Sequence, residues 1–232
     1  DDAVLWASRI TRIGAGSLGG KGRGFRFLNS VLERYDVENL MPGVRIVVPR
    51  TLVIAAGEFE EFMERNALLR PVVEAKSDDE VAALFRAAQV QPRLVSKLKH
   101  HATHFTKPIA VRSSSLFEDA FQQPFAGVYN TYLLPNAGDE EARSEDLLMA
   151  VKMVWASTYM SEARRYAAAT SHRIEEEKMA VILQQVSGDA YGKYFCPILS
   201  GVGVSCDFYP KDSTSESDGS VTVSPGLGAA VV

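Results

Sequence analysis

Apolar positions along the chain recur with two periods, three-to-four and two, and their alternation predicts mixed helices and strands. After the glycine-rich GAGSLGGKGRG, residues 21 to about 35 place Phe25, Leu28, Leu32 and Tyr35 on one helical stripe. Two apolar runs around Pro49, at 45–48 and 51–54, read as strands. Residues 57 to 69 carry Phe59, Phe62 and Met63 at helical spacing, and Ser77-x-x-Glu80 is a capping-box signal for the helix bearing Val81, Leu84 and Phe85. Pro92 suits the first position of a helix running to about 105. Ile109-Ala110-Val111 is a short buried strand. A long helix is expected from about 145 to 169, with Leu148, Val151, Trp155, Tyr159 and Tyr166 on its stripe. Strands resume at 179 and at 194–206, and KDSTSESDGS (211–220) reads as a solvated hairpin connection. Helices and strands in this order predict an α/β (α+β) fold.

Composition narrows the picture without deciding it. The 232 residues are 46% hydrophobic and 23% charged, ordinary for a globular chain with a real core. A net charge of −4, from 25 basic and 29 acidic residues, argues against nucleic acid or an anionic membrane as partner. No stretch approaches the ~20 apolar residues that span a bilayer. Cys196 and Cys206 lie in apolar text and are expected as reduced core thiols of a cytoplasmic protein. The chain opens at Asp1 without methionine and closes on the apolar VTVSPGLGAAVV, so a piece of a longer protein is expected.

The chemistry concentrates in PIAVRSSSLFEDAFQQPFAGVYNTYLLPN, residues 108–136. There the apolar strand delivers Arg112 into Ser113, Ser114 and Ser115, followed by Glu118-Asp119 and a loop at Phe125-Ala126-Gly127. A guanidinium at the end of a buried strand presents a planar fork to phosphate or carboxylate oxygens. The residues leave a second reading open, an arginine that pins its own loop. Upstream, Gly14-x-Gly16-x-x-Gly19 matches a dinucleotide fingerprint. The preceding ASRITRI, however, lacks the apolar run of a buried parallel strand, and no acidic residue ends a second strand about 20 positions on. The P-loop pattern fails at Ala15 and Gly22. Gly19 and Gly20, at a helix start, let backbone approach an anion, and Lys21 adds a full charge. His100, His101 and His104 are expected as a surface cluster, Glu175-Glu176-Glu177 as a solvated face, and the Met and Trp residues as core.

Three segments together resemble the N-terminal nucleotide-binding domain of the phosphoenolpyruvate synthase and pyruvate phosphate dikinase family. The V-R-S-S string with its E-D and F-A-G loop is one, Leu18-Gly19-Gly20-Lys21-Gly22 is similar to the family's G-G-K start, and VILQQVSGDAYGKYFCPILSGVGVS (181–205) is similar to its Q-x-V strand and S-G-V-x-x-S segment. The resemblance implies an ATP-grasp architecture, with a first lobe at 1–178 and the beginning of a second at 179–232. It implies that Lys21 and Arg112 hold ATP phosphates, with Gly19, Gly20, Ser113 and Ser114 around them. The Gly127 loop would close over the phosphates, and Gln184, Gln185 and Val186 would lie along adenine. ATP and magnesium are the implied cofactors, the metal's carboxylates lying beyond Val232. The implied partners are a phosphohistidine carrier domain and a pyruvate-binding domain of the same parent protein. The implied activity is phosphoryl transfer from ATP to that histidine and on to pyruvate, with the isolated piece inactive. A glucan or antibiotic dikinase, or a non-catalytic nucleotide sensor, are the alternative readings.

Overall fold

A computed structural model describes residues 9–35, 42–115, 127–169, 173–207, 209–210 and 215–228. The chain divides into two compact units, one up to Val186 and one from Ser187 onward.

The first unit is built on a five-stranded mixed sheet of order β1-β2-β5-β3-β4, with β1 Ile10–Ile13, β2 Thr51–Ile54, β3 Ile109–Ser114, β4 Thr131–Leu134 and β5 Ala180–Gln185. β1 and β2 run parallel and the other three pairings are antiparallel. Parallel neighbours need a crossover, and α1 (Gly19–Arg34) supplies it. β5 reads AVIL before it turns polar because it sits at the sheet's centre, paired on both sides and covered on both faces. This placement moves the division of the chain. The expected boundary at 178/179 falls before β5, whereas β5 completes the first sheet and the compact units part after Val186.

Six further helices fill the first unit: α2 Ala56–Arg65, α3 Leu69–Glu74, α4 Asp78–Ala87, α5 Pro92–Ala102, α6 Glu140–Ser157 and α7 Ser161–Ala169. The main core forms where they meet one sheet face, that of Leu52, Val111, Val181 and Leu183. At its centre the fully buried Trp155 ring lies 4.9 Å from Phe62 and 5.9 Å from Phe59. The capping signal at Ser77 is realised, with the Glu80 amide donating to Ser77 Oγ at 3.2 Å, and Pro92 opens α5 as expected.

Several elements differ from the sequence expectation. Residues 45–48 form no strand: Pro49 has no N–H to give a ladder, and pairing starts where the Thr51 amide donates to the Arg9 carbonyl. The helix expected at 57–69 ends at Arg65 and gives way to α3. The long helix breaks at 158–160, because Asp78 captures both the Ser161 amide (2.7 Å) and hydroxyl (2.8 Å) and starts α7 anew. ASRITRI does form a parallel strand at 10–13. Its charged text is tolerated because β1 is an edge, so that ground for setting aside the dinucleotide fingerprint falls. What remains against it is a sheet with one parallel pairing in four and a β2 that runs into Ala55 and Ala56.

The second unit holds two antiparallel pairs, β6 Asp189–Tyr191 with β7 Tyr194–Cys196, and β8 Leu199–Val204 with β9 Ser220–Pro225. The strand expected over 194–206 is therefore two strands around Pro197. β8 and β9 are joined through the segment read as a hairpin connection, of which 211–214 lie outside the described residues. Both cysteines are free thiols.

Candidate functional site

Side chains alternate across a strand, so residues two apart share a face. On β3, Ile109 and Val111 enter the main core, and Ala110, Arg112 and Ser114 face the other way. The pairing registers extend that second face into rows across the sheet. One row is Arg12, Val53, Ile182, Arg112 and Thr131, and the next is Ile10, Thr51, Gln184, Ala110 and Leu133. A small apolar cluster of Leu18, Val53, Ala55 and Ile182, with Phe25 against it, seats α1 on this face. The helix lies close because its buried positions are Gly19, Gly22 and Asn29. The stripe read from sequence is largely outside: Leu28 and Tyr35 are exposed.

Ser114 fastens the start of α1 to the end of β3. Its hydroxyl, fully buried, donates to the Leu18 carbonyl at 2.7 Å and accepts from the Gly22 amide at 3.0 Å. One residue on, the Ser115 carbonyl accepts from the Gly20 amide at 2.9 Å. Gly19 is held against the same strand end at φ +70°, and a Cβ there would lie 1.7 Å from the Ser114 carbonyl oxygen. No other residue fits. Lys21 is thus bracketed by two residues whose amides are bonded to the end of the strand carrying Arg112. Two strand steps separate Arg112 from Ser114 on one face, about 7 Å. The backbone around Lys21 and the strand carrying Arg112, some 90 positions apart in sequence, are thus joined at one end of the sheet. Arg112 is half-buried, and among the described residues its guanidinium has no carboxylate partner.

The geometry redistributes other roles. The Gly19 amide donates to Ser17 Oγ at 3.0 Å and the Gly20 amide to Ser115, so both are committed to protein acceptors. Ser114 is committed through both its donor and acceptor. Ser113 is buried on the opposite face. Gln184 shares the face of Arg112, about 7–8 Å away along the diagonal, and its Nε2 donates to Thr51 Oγ1 at 3.3 Å. The Gln185 and Val186 amides donate to the Arg50 and Pro108 carbonyls at 2.9 and 2.8 Å. β5 is paired on both sides here, so these amides are committed to protein acceptors. Gly127 is exposed at φ +78°, and Glu118, Asp119, Phe125 and Ala126 lie outside the described residues.

Two features of this region carried no sequence signal. Arg12 ties the glycine loop by donating from Nε to the Gly14 carbonyl (2.8 Å) and from Nη2 to the Gly16 carbonyl (3.1 Å). Beside it, on the β1 flank of α1, opens a hollow of about 500 Å³ lined by Arg12, Leu18, Arg26, Asn29 and Glu33 among others. The expected solvated face at 175–177 is also corrected at Glu177, which is buried and accepts from the Tyr129 hydroxyl at 3.1 Å. Burial, with the charges of Glu177 and Glu175, holds the Tyr159 phenol well above the ordinary tyrosine range.

Magnesium finds no ligand set here. Among the described residues no three His, Cys, Asp or Glu side chains are grouped to hold a metal, the His100, His101 and His104 rings included, and no step is derived through one. No helix among them is long and apolar enough to cross a membrane.

The glycine loop is bound to a strand that ends in Arg-Ser-Ser, and comparison with known families identifies the domain. The family model described as "Pyruvate phosphate dikinase, AMP/ATP-binding domain" matches residues 15–232. The chain belongs to this family. Among curated proteins it is 29% identical over 64% of its length to the prodigiosin synthesizing transferase PigC of Serratia marcescens. It is 28% identical over 80% of its length to the uncharacterized phosphotransferase YvkC of Bacillus subtilis, and 28% identical over 70% to phosphoenolpyruvate synthase of Aquifex aeolicus. The matches cover 16–20% of those proteins' lengths, so the chain spans up to about a fifth of the relatives it matches. Membership supports a general role in phosphoryl transfer by a nucleotide-binding α/β domain.

Proposed function

We propose that this chain is the ATP-binding portion of a phosphotransferase of the phosphoenolpyruvate synthase type. In the whole protein it passes a phosphoryl group from ATP to a histidine on a separate carrier domain, and from there to pyruvate. The observation that supports this reading is the Ser114 junction, which ties the backbone on either side of Lys21 to the end of the strand carrying Arg112.

Phosphoryl transfer asks a protein for positioning and charge stabilisation more than for covalent chemistry. Arg112, on a strand paired on both sides, is a preorganised fork for the charge that develops on the transferred group. Lys21 adds a point charge from the first turn of α1. Both act by holding phosphate oxygens. Magnesium, when bound, would supply charge neutralisation at the phosphates, with ligands from outside the described residues. The chain by itself is accordingly read as binding nucleotide without turning it over.

Calorimetric titration with a non-hydrolysable ATP analogue tests the reading. Arg112→Ala and Lys21→Ala should each weaken binding at least about tenfold. In the intact protein Arg112→Ala should slow AMP formation about 100-fold, the effect of removing one such donor. Equal affinities and rates in wild type and Arg112→Ala would end the assignment. A second acceptor is favoured by one observation: relatives of similar identity include a prodigiosin synthesizing transferase as well as a phosphoenolpyruvate synthase. The same nucleotide domain would then serve a different final substrate, and phosphate-acceptor screening of the intact protein separates the two.

A further inference from the structure

Under the glycine loop lies a carboxyl group that the nucleotide reading does not use. Glu58, in the first turn of α2, is almost fully enclosed, its residue 1% exposed. Gly14 rests on it at φ +82°, so close that a Cβ would lie 2.6 Å from both Glu58 Cγ and Oε1. Only glycine can take this position, so loop and carboxyl are shaped to each other. The loop is bound around the same spot: Ala15 and Ser17 carbonyls accept from the Gly57 and Ala56 amides at 2.9 and 2.8 Å, and Arg12 holds the Gly14 and Gly16 carbonyls from the other side.

The carboxyl is incompletely matched. Oε1 is paired with Arg93 Nη2 of α5 at 3.2 Å, and that guanidinium is shared with Glu61. Oε2 is buried with no hydrogen-bond partner among the described residues. A buried carboxylate oxygen without a donor is costly, and a proton removes most of that cost. Burial raises the affinity of Glu58 for a proton above that of a free carboxyl, and Glu61 on its own helix adds to this. Arg93 and Lys97 of α5 oppose it. On the loop itself, the Arg12 guanidinium is spent on the Gly14 and Gly16 carbonyls. The neighbouring Gln91 is neutral, donating from Nε2 to the Glu58 carbonyl at 3.2 Å.

We propose that Glu58 is a positioning residue of the glycine loop at 14–20: its carboxyl is the seat on which the loop closes, and the loop settles fully when that carboxyl carries a proton. The consequence for phosphates rests on the nucleotide-binding reading. A negative charge sealed beneath the loop repels phosphate through a medium that screens poorly, so nucleotide binds more tightly to the protonated form.

Two readouts separate the seat from the nucleotide. In amide NMR spectra of the chain, Gly14 and Gly16 should follow one titration with a midpoint above the ordinary carboxyl range, flat in Glu58→Gln. Arg93→Gln, which removes the opposing cation, should move that midpoint upward. Amides that ignore pH, a transition that persists in Glu58→Gln, or a midpoint that Arg93→Gln leaves unmoved each overturns the seat. In the second readout, Glu58→Gln should bind the Mg–ATP analogue about fivefold more tightly than wild type near pH 8, converging with it as pH falls. The ratio between the two proteins cancels the ligand's own titration. Equal affinities at every pH overturn the coupling to phosphates. Failure of both proteins to bind analogue, with the amide titration intact, removes the nucleotide reading and leaves the seat standing.

Discussion

Removing one oxygen atom, in Ser114→Ala, should do more damage to this domain than most core truncations of similar size. The hydroxyl makes two hydrogen bonds, 2.7 Å to the Leu18 carbonyl and 3.0 Å from the Gly22 amide, in a site with no exposure. Alanine removes both bonds and leaves the Leu18 carbonyl and Gly22 amide, four residues apart at the start of α1, with only their helical pairing to each other. The two lost hydrogen bonds are worth about 0.5–1.5 kcal/mol each, so together about 1–3 kcal/mol. For a unit of this size that is a fall in midpoint of about 2–12 °C. The assay is thermal and urea unfolding of the chain followed by circular dichroism, with Ser30→Ala as the comparison. Ser30 lies on the same helix, exposed, bonded only to the Phe27 carbonyl within its own turn, and its loss should stay within about 0.5 kcal/mol. On the proposed reading, affinity for an ATP analogue should fall alongside, since the junction ties the backbone around Lys21 to the strand of Arg112. A Ser114→Ala midpoint no lower than that of Ser30→Ala would refute the view of Ser114 as the clasp between loop and strand.

Three further substitutions extend the argument. Gly19→Ala must place a methyl 1.7 Å from the Ser114 carbonyl at a positive φ, and should cost about 3 kcal/mol or more by urea unfolding. Gly24→Ala, on the same helix with open space around the added carbon, should instead stabilise by about 0.5–1 kcal/mol; opposite signs are the result to look for. Lys152 is buried, donates from Nζ to the Arg86 carbonyl at 2.6 Å, and is held below the ordinary lysine range by desolvation. Its charged form is the penalised one, so the penalty is fully present below its folded pKa and is relieved as pH rises toward 10.5, the unfolded value. Lys152→Met should therefore raise the melting temperature near neutral pH, by a margin that narrows on the alkaline side; a margin independent of pH would contradict it.

What was legible in this sequence followed from local signals with local causes. Ser77 and Glu80 cap a helix through atoms three residues apart, and Pro92 opens one by its own ring geometry, so both are visible in a short window. The buried strand at 109–111 and the central β5 declared themselves as unbroken apolar runs. The V-R-S and G-G-K segments could be read together only through family resemblance, because nothing in either segment states that Ser114 meets Leu18 across 96 positions.

Three of the misreadings arise from what lies elsewhere in the chain and outside any local window. Asp78 ends the long helix by capturing Ser161, Arg12 survives on a strand because that strand is an edge, and Glu177 leaves solvent because Tyr129 offers it a hydroxyl. The serine triplet makes the point most sharply. Three adjacent hydroxyls after an arginine look like one anion cradle, but strand alternation sends Ser113 into the opposite face and uses Ser114 up as a clasp. If Lys21 and Arg112 hold phosphate as proposed, they do so as charges mounted on a backbone whose hydrogen bonds are already spent on rigidity. A site of that kind gains its electrostatic advantage from being held still before the ligand arrives. Loosening the clasp should therefore cost transfer rate in the intact protein even where nucleotide affinity at saturating analogue survives.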